Sequence, residues 1–154
     1  MTQRIIIRGG HVVDPATKFD TIADVLVEDG RIAAIGAGLV ADSAREIDAR
    51  GLVVAPGFID VHTHLRDPGL EYKEDIASGT RAAARGGFTT VCAMPNTEPA
   101  MDNRSVIEYV LREAAARASV RVLPIGAVSK GRKGTELAEL GDLGGAIGAS
   151  LLEA

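Results

Sequence analysis

Residues 57–69 have the sequence Gly57-Phe58-Ile59-Asp60-Val61-His62-Thr63-His64-Leu65-Arg66-Asp67-Pro68-Gly69. The apolar run predicts a buried strand that leads directly into two histidines. Because side chains on a strand repeat with a period of two, we expect His62 and His64 to point to one face and converge on one cation. Neutral imidazole is the commonest transition-metal ligand and suits zinc, iron, nickel or copper. The stretch therefore predicts a metal site where a strand ends.

The sequence on either side of this stretch alternates between strand and helix patterns. Strands are predicted over residues 52–55 and 58–61, taken as one buried strand with a kink at Pro56-Gly57, and over residues 89–94 and 120–128. Helices are predicted over residues 72–85, from a cap at Asp102 to Ala118, and from Thr135 onward. This order and spacing favour parallel βα units, and hence an α/β fold.

The N-terminal third has a different pattern. Residues 4–50 contain short apolar and β-branched runs separated by tight turns, and Asp29-Gly30 between two of them is a strong hairpin signal. We therefore expect a small β-module over residues 1–51, followed by the βα units over residues 52–154. His11 is interpreted as an ordinary loop histidine of this module.

Composition narrows the function classes. The chain is 46% hydrophobic and 25% charged, which is typical of a soluble globular protein. A net charge of −4 does not indicate the basic surface that binds nucleic acid. No apolar run approaches the roughly 20 residues that span a bilayer. Cys92 is the single cysteine, so no internal disulfide can form and a cytoplasmic location is expected. We interpret Cys92 as a packed thiol rather than a nucleophile.

Further polar residues fall where strands end, and catalytic groups of parallel βα folds lie at those ends. Arg66 follows His64 by two residues and can offer a planar fork to a carboxylate. Asn96 follows the next strand, and it can either contact a substrate or organise its own turn. Asp60 can accept a hydrogen bond from a histidine. A pair of metal-binding histidines together with an arginine and an asparagine suits a small anionic substrate that contains amide groups.

These residues resemble a known family. Residues 56–69 are similar to the metal motif of the amidohydrolase superfamily, and of bacterial class I dihydroorotases in particular. Residues 71–76, 86–91 and 94–97 resemble the same family, and the likeness runs from residue 4 to residue 143. It implies the N-terminal part of a (β/α)8 TIM-type metal-dependent hydrolase barrel, preceded by a small β-sandwich module built from both chain ends.

The resemblance also implies a reaction and a set of roles. The family catalyses the zinc-dependent, reversible cyclisation of N-carbamoyl-L-aspartate to L-dihydroorotate in pyrimidine (UMP) biosynthesis. By this likeness His62 and His64 bind zinc, of which the full site holds two ions, while Arg66 and Asn96 hold the substrate carboxylate. The bridging carboxylate, the other histidines and the general-base aspartate are expected beyond residue 154. Since a closed barrel takes roughly 250 residues, we expect a truncated chain that is inactive alone.

Other assignments stay open from the sequence. A related cyclic amidohydrolase, allantoinase or dihydropyrimidinase/hydantoinase, is the nearest enzymatic alternative. The pair Arg66 and Asn96 argues for dihydroorotase, because together they suit a substrate with a free carboxylate. A non-catalytic dihydroorotase-like partner of aspartate transcarbamoylase is the alternative from another class, and His62 and His64 argue against it because a scaffold needs no metal ligands. By family analogy the protein forms homodimers.

Overall fold

The computed structural model describes residues 3–147 and 152–153, and the chain divides after Pro56 into two units. The first unit is one mixed five-stranded sheet in the order β3-β2-β1-β4, with β5 also paired to β1. Its strands are β1 (Arg4–Asp14), β2 (Phe19–Glu28), β3 (Arg31–Gly36), β4 (Arg45–Asp48) and β5 (Val53–Val54). Neighbours β1 and β2, and β2 and β3, run antiparallel, whereas β4 and β5 run parallel to β1.

The predicted hairpin is confirmed between β2 and β3. Asp29 has φ of 48° and Gly30 has φ of 76°, the positive values that a two-residue type I′ turn requires. Val12, Ala23 and Val25 form the buried core of this unit. His11, expected in a loop, instead lies within β1 and contacts the Asp20 carboxylate.

The second unit alternates strands and helices, as predicted. Its elements are β6 (Phe58–Thr63), α1 (Ile76–Arg85), β7 (Phe88–Ala93), α2 (Arg104–Arg117), β8 (Arg121–Pro124), β9 (Gly126–Ala127), a 3-10 turn (Lys130–Arg132), α3 (Leu140–Ile147) and β10 (Leu152–Glu153). Strands β6, β7 and β8 form a parallel sheet in that order, and β9 pairs with β10 in parallel. The predicted α/β class is therefore confirmed for the second unit, which consists of βα units.

The predicted first strand is corrected in two respects. Residues 52–61 are not one kinked strand, because β5 pairs with β1 in the first unit and β6 pairs with β7 in the second. Nor is β6 buried: Phe58, Ile59 and Val61 are 60%, 62% and 69% exposed. In the described part of the chain β6 has a neighbour on one side alone, which leaves these side chains uncovered.

The helices begin later than the sequence predicts, because the caps are different residues. The Asp75 carboxylate accepts from the backbone N–H of Ser78 at 2.7 Å and caps α1 at Ile76 rather than at residue 72. Asn103 caps α2, whereas the predicted cap, Asp102, accepts from the backbone N–H of Gly131 at 2.6 Å. The third strand is split into β8 and β9, and α3 begins at Leu140 rather than near residue 135.

Helices α1, α2 and α3 contribute to one core with the parallel sheet. Its buried members are Leu65, Ile76, Val91, Ala93, Met101, Val106, Ile107, Val110, Val122, Ala138 and Leu143. Cys92 is 3% exposed and packs with Met94 and Ile125, which confirms the packed-thiol prediction. None of the helices in the described residues combines the length and apolarity needed to cross a bilayer.

Candidate metal and substrate site

The two histidines lie where β6 ends. Strand β6 stops at Thr63, so His62 belongs to its last residues and His64 directly follows it. The two imidazole rings lie edge to face, with centroids 5.1 Å apart and ring planes at 76°. His62 is exposed and His64 is half-buried. The structure thus places the two rings side by side, as the strand period predicts.

Asn96 joins the histidines from the neighbouring strand. It lies in the β7 loop, residues 94–101, and its Oδ1 is 2.8 Å from Nδ1 of His64. The loop begins with a hydrogen bond from the backbone N–H of Met94 to the carbonyl of Thr63 at 2.9 Å, which ties it to the end of β6. Because β6 and β7 are parallel neighbours, their carboxyl ends bring these side chains to one edge of the sheet.

A cavity of about 380 Å³ opens over this edge. The lining comes from the ends of β6, β7 and β9: His62, His64, Met94, Pro95, Asn96, Ala127, Val128, Ser129, Arg132 and Gly134. Arg132 is a residue that the sequence interpretation missed. It lies in the β9 loop, residues 128–134, where two lysines and two glycines flank it just past the third strand. This basic, glycine-containing run directly after a predicted strand is the sequence feature that could have indicated Arg132.

Arg66 lies apart from the residues that line the cavity. Within the described residues it does not line this cavity, and its backbone has a φ of +65°. It lies in the β6 loop, residues 64–70, between Leu65 and Asp67, which are each 2% exposed. The β6 loop therefore contacts the core on both sides of Arg66.

A buried carboxylate fixes the β6 loop against α2. The Asp67 side chain is fully buried and accepts from the Tyr109 hydroxyl at 3.1 Å and from Nη2 of Arg117 at 2.7 Å. Burial raises the pKa of the Tyr109 hydroxyl, and the hydrogen bond to the Asp67 carboxylate raises it further. The sequence interpretation did not identify this network.

Two other residues singled out from the sequence have structural contacts. Asp60 accepts from the backbone N–H of His62 at 2.9 Å, so this contact is with the backbone and not with an imidazole ring. Burial raises the pKa of the Cys92 thiol, and the charge of Asp60 adds to the effect. The thiolate form is therefore disfavoured at Cys92, as expected for a packed thiol.

The donors present fit a divalent transition metal. Oδ1 of Asn96 lies 2.8 Å from Nδ1 of His64, so the other ring nitrogen, Nε2, is the one that could bind a metal. His62 lies beside it on the same cavity wall. No group of three or more His, Cys, Asp or Glu side chains suited to a metal occurs among the described residues. This part of the chain thus offers two imidazole ligands.

Comparison with known proteins gives concordant matches. A family model described as dihydro-orotase-like matches residues 51–153. The chain is 54% identical over 140 residues to a dihydroorotase of Geobacter sulfurreducens, an alignment that covers 90% of this chain and 33% of that protein. It is 55% identical over 140 residues to a dihydroorotase of Syntrophotalea carbinolica, covering 91% of this chain and 33% of that one. The chain spans about a third of the length of these curated relatives.

The structure also matches solved structures. A D-hydantoinase from Bacillus sp. AR9 superposes with a TM-score of 0.75 and 34% sequence identity, over 96% of this chain and 32% of that one. An L-hydantoinase (dihydropyrimidinase) from Arthrobacter aurescens superposes with a TM-score of 0.71 and 31% identity, over 84% of this chain and 28% of the other. The two sequence relatives are thus named dihydroorotases, whereas these two structural neighbours are named hydantoinases.

Proposed function

This chain belongs to the dihydro-orotase-like family, and we propose on that premise that its second unit contributes to the active site of a dihydroorotase, a cyclic amidohydrolase. The reaction is the zinc-dependent, reversible cyclisation of N-carbamoyl-L-aspartate to L-dihydroorotate, a step of pyrimidine biosynthesis. The observation that carries the proposal is the convergence of His62, His64 and Asn96 on one cavity at the carboxyl ends of two parallel strands. The relatives named dihydroorotase support the choice of substrate.

The proposed roles divide between metal and substrate. His62 and His64 hold a zinc ion, which supplies Lewis acidity that activates water and polarises the amide carbonyl. Asn96 binds the substrate carboxylate from the cavity wall. Arg66 is the proposed second partner, for which its planar guanidinium offers two parallel donors, and it would have to reach the carboxylate from the β6 loop because it does not line the cavity among the described residues. Arg132 adds positive charge to the cavity wall. The charge of Arg132 would add to that of the zinc ion in attracting an anionic substrate.

We also propose the larger architecture that the family likeness implies. The sheet of β6, β7 and β8 forms part of a (β/α)8 barrel, and the first unit forms part of a β-sandwich module. Exposed Phe58, Ile59 and Val61 support the barrel, because every strand of a closed barrel has a neighbour on each side.

Zinc binding is the first test. The 154-residue chain, purified without chelator, is analysed for metal content and titrated with zinc against a chromophoric competitor. We expect His62→Ala and His64→Ala to lower zinc affinity at least tenfold, since each removes one of the two ligands that the described residues offer. His11→Ala is the matched control, because His11 lies on β1 and contacts Asp20. Equal losses in all three variants, or no zinc in the parent chain, would contradict the proposed site.

Substrate recognition is the second test, and it separates dihydroorotase from the hydantoinase alternative, the name that two of the structural neighbours carry. Dihydrouracil is dihydroorotate without its carboxylate. In an NMR titration of the zinc-loaded chain, we expect dihydroorotate to shift the Asn96 side-chain amide and dihydrouracil to leave it unchanged. Equal shifts would favour a dihydropyrimidinase-type site. We expect no turnover by this chain alone, because catalytic zinc sites use three protein ligands.

A further inference from the structure

We propose that Asn96 is a positioning residue for His64. Its side-chain carbonyl holds a proton on Nδ1 of His64, so that the Nε2 lone pair is available to a metal ion. Its amide NH2 group stays available to the substrate carboxylate. The metal and substrate parts rest on the function proposed above, whereas the hydrogen bond between the two side chains does not.

The contact supports one tautomer. The distance from His64 Nδ1 to Asn96 Oδ1 is 2.8 Å, and a carbonyl oxygen can only accept. With the amide in this orientation, the tautomer that forms the hydrogen bond carries its hydrogen on Nδ1. A neutral imidazole has one N–H, so Nε2 of His64 then carries a lone pair. Metal-binding histidines commonly donate their second ring N–H to an acceptor of this kind, which fixes both tautomer and ring orientation.

The backbone that presents Asn96 is held on both sides. Pro95 and Thr97 are buried, and the Thr97 hydroxyl donates to the carbonyl of Pro99 at 2.7 Å. The loop closes with a hydrogen bond from the backbone N–H of Met101 to the carbonyl of Pro95 at 3.2 Å, and Met101 is fully buried. A supporting residue fixed in this way can orient a ligand, because its own position is determined by packing.

The same amide links the metal ligand with the substrate. The Asn96 side chain is planar and carries its acceptor and its donors on one group, so its two contacts share one orientation. Asn96 lines the cavity beside both histidines. Turning the amide to present its oxygen elsewhere would release Nδ1 of His64. Carboxylate binding at the amide NH2 therefore favours the orientation that keeps Nε2 free.

The tautomer is tested directly on the metal-free chain. With 15N-labelled histidine, long-range 1H–15N NMR distinguishes protonated from unprotonated ring nitrogens at a pH at which free histidine is neutral. We expect His64 to be protonated at Nδ1 in the parent chain. In Asn96→Ala we expect His64 to show a mixture of the two tautomers, while the spectra of His11 stay unchanged.

Two substitutions then separate the metal role from the substrate role. Asn96→Ala should lower zinc affinity by about tenfold, the usual size of effect when the partner of a metal-binding histidine is removed. Asn96→Asp keeps an acceptor for Nδ1 and should restore zinc affinity to within about threefold of the parent. It should still weaken dihydroorotate binding by about tenfold or more, because a second carboxylate replaces the amide donors. Thermal unfolding of both variants checks that the fold is retained.

The outcomes separate this inference from the proposed function. A parent chain that binds zinc while His64 is protonated at Nε2 would overturn the inference and leave the proposed function intact. An Asn96→Ala variant in which the tautomer of His64 and the zinc affinity are both unchanged would likewise overturn the inference and leave the proposed function intact. A parent chain that binds no zinc would overturn the proposed function, whatever the tautomer of His64.

Discussion

The β6 loop and the β9 loop have similar local conformations and very different tertiary support. Each contains an arginine at positive φ, +65° for Arg66 and +59° for Arg132. Each also contains a glycine at positive φ, Gly69 at +90° and Gly134 at +69°. Yet the β6 loop has two residues that are 2% exposed, whereas all side chains from 130 to 137 are exposed. Backbone conformation alone therefore does not determine how firmly a loop holds an arginine.

The difference lies in what each loop contacts. The β6 loop places the Asp67 carboxylate into α2, where Tyr109 and Arg117 bind it away from solvent. The β9 loop has exposed hydrogen bonds instead: the backbone N–H of Gly134 donates to the Ser129 hydroxyl oxygen at 2.9 Å, and that of Gly131 donates to the Asp102 carboxylate at 2.6 Å. Its Lys130 forms an ion pair with Glu136 in which both side chains are exposed. Substitutions in the β6 loop should consequently cost far more stability than equivalent ones in the β9 loop.

The largest contrast is expected between the two glycines. A Cβ at Gly69 would lie 1.8 Å from the carbonyl oxygen of Glu98, whereas a Cβ at Gly134 would meet nothing within 4 Å. Gly69→Ala should therefore lower the free energy of unfolding by about 4 kcal/mol, from backbone strain and overpacking together. Gly134→Ala carries the strain alone and should cost about 1 kcal/mol. Urea unfolding of both variants measures the difference, and equal losses would contradict it.

Local patterns in the sequence predicted the parts of this molecule that depend on near neighbours. The hairpin at Asp29-Gly30 and the proximity of His62 and His64 follow from turn chemistry and from the strand period. The Asp67 network could not be predicted in this way, because its partners lie 42 and 50 positions along the chain. No periodicity links such residues. They meet only once β6 and α2 have packed.

Strand pairing shows the same limit. Residues 53–54 and 58–59 are both apolar and close in sequence, yet β5 and β6 pair in different units. Hydrophobic pattern alone does not specify which strand will be the neighbour. Of the residues that line the cavity, sequence reasoning singled out both histidines and Asn96, whose roles stay predictions. It missed Arg132, because the cavity wall that this arginine joins forms only when the β9 loop folds toward the ends of β6 and β7.

The ion pairs of the two loops give the next contrast. Arg117→Met leaves the Asp67 carboxylate fully buried with the Tyr109 hydroxyl as its remaining side-chain donor. The Arg117 side chain is 40% exposed, so solvent screens part of the pair. Its removal should therefore cost about 3 kcal/mol of unfolding free energy, the lower end of the range for buried pairs. Lys130→Met removes an exposed ion pair and should cost no more than about 1 kcal/mol. The comparison fails if Lys130→Met is the more damaging change in urea unfolding.

The third prediction for the β6 loop concerns the second partner of Asp67, and its expected effect is the smallest of the three on that loop and depends on pH. Tyr109→Phe removes one donor to a buried carboxylate and should cost about 2 kcal/mol at neutral pH. The pKa of Tyr109 is raised in the folded state, mainly by burial and then by the Asp67 carboxylate. The stabilising contribution is therefore complete below the ordinary tyrosine pKa of about 10 and is lost as the pH rises through the folded value.

The stability difference between the parent chain and Tyr109→Phe should accordingly shrink in alkaline solution. The measurement is urea unfolding at a series of pH values, with tyrosinate absorbance followed in parallel. Tyr72→Phe is the matched control, because Tyr72 is 79% exposed and its substitution should leave unfolding unchanged at neutral pH. The difference in unfolding free energy between the parent chain and Tyr109→Phe could instead stay constant across the alkaline range. That result would mean that the Tyr109 hydroxyl does not stabilise the β6 loop through its proton. The support of that loop would then rest on Arg117 and on the packing of Leu65.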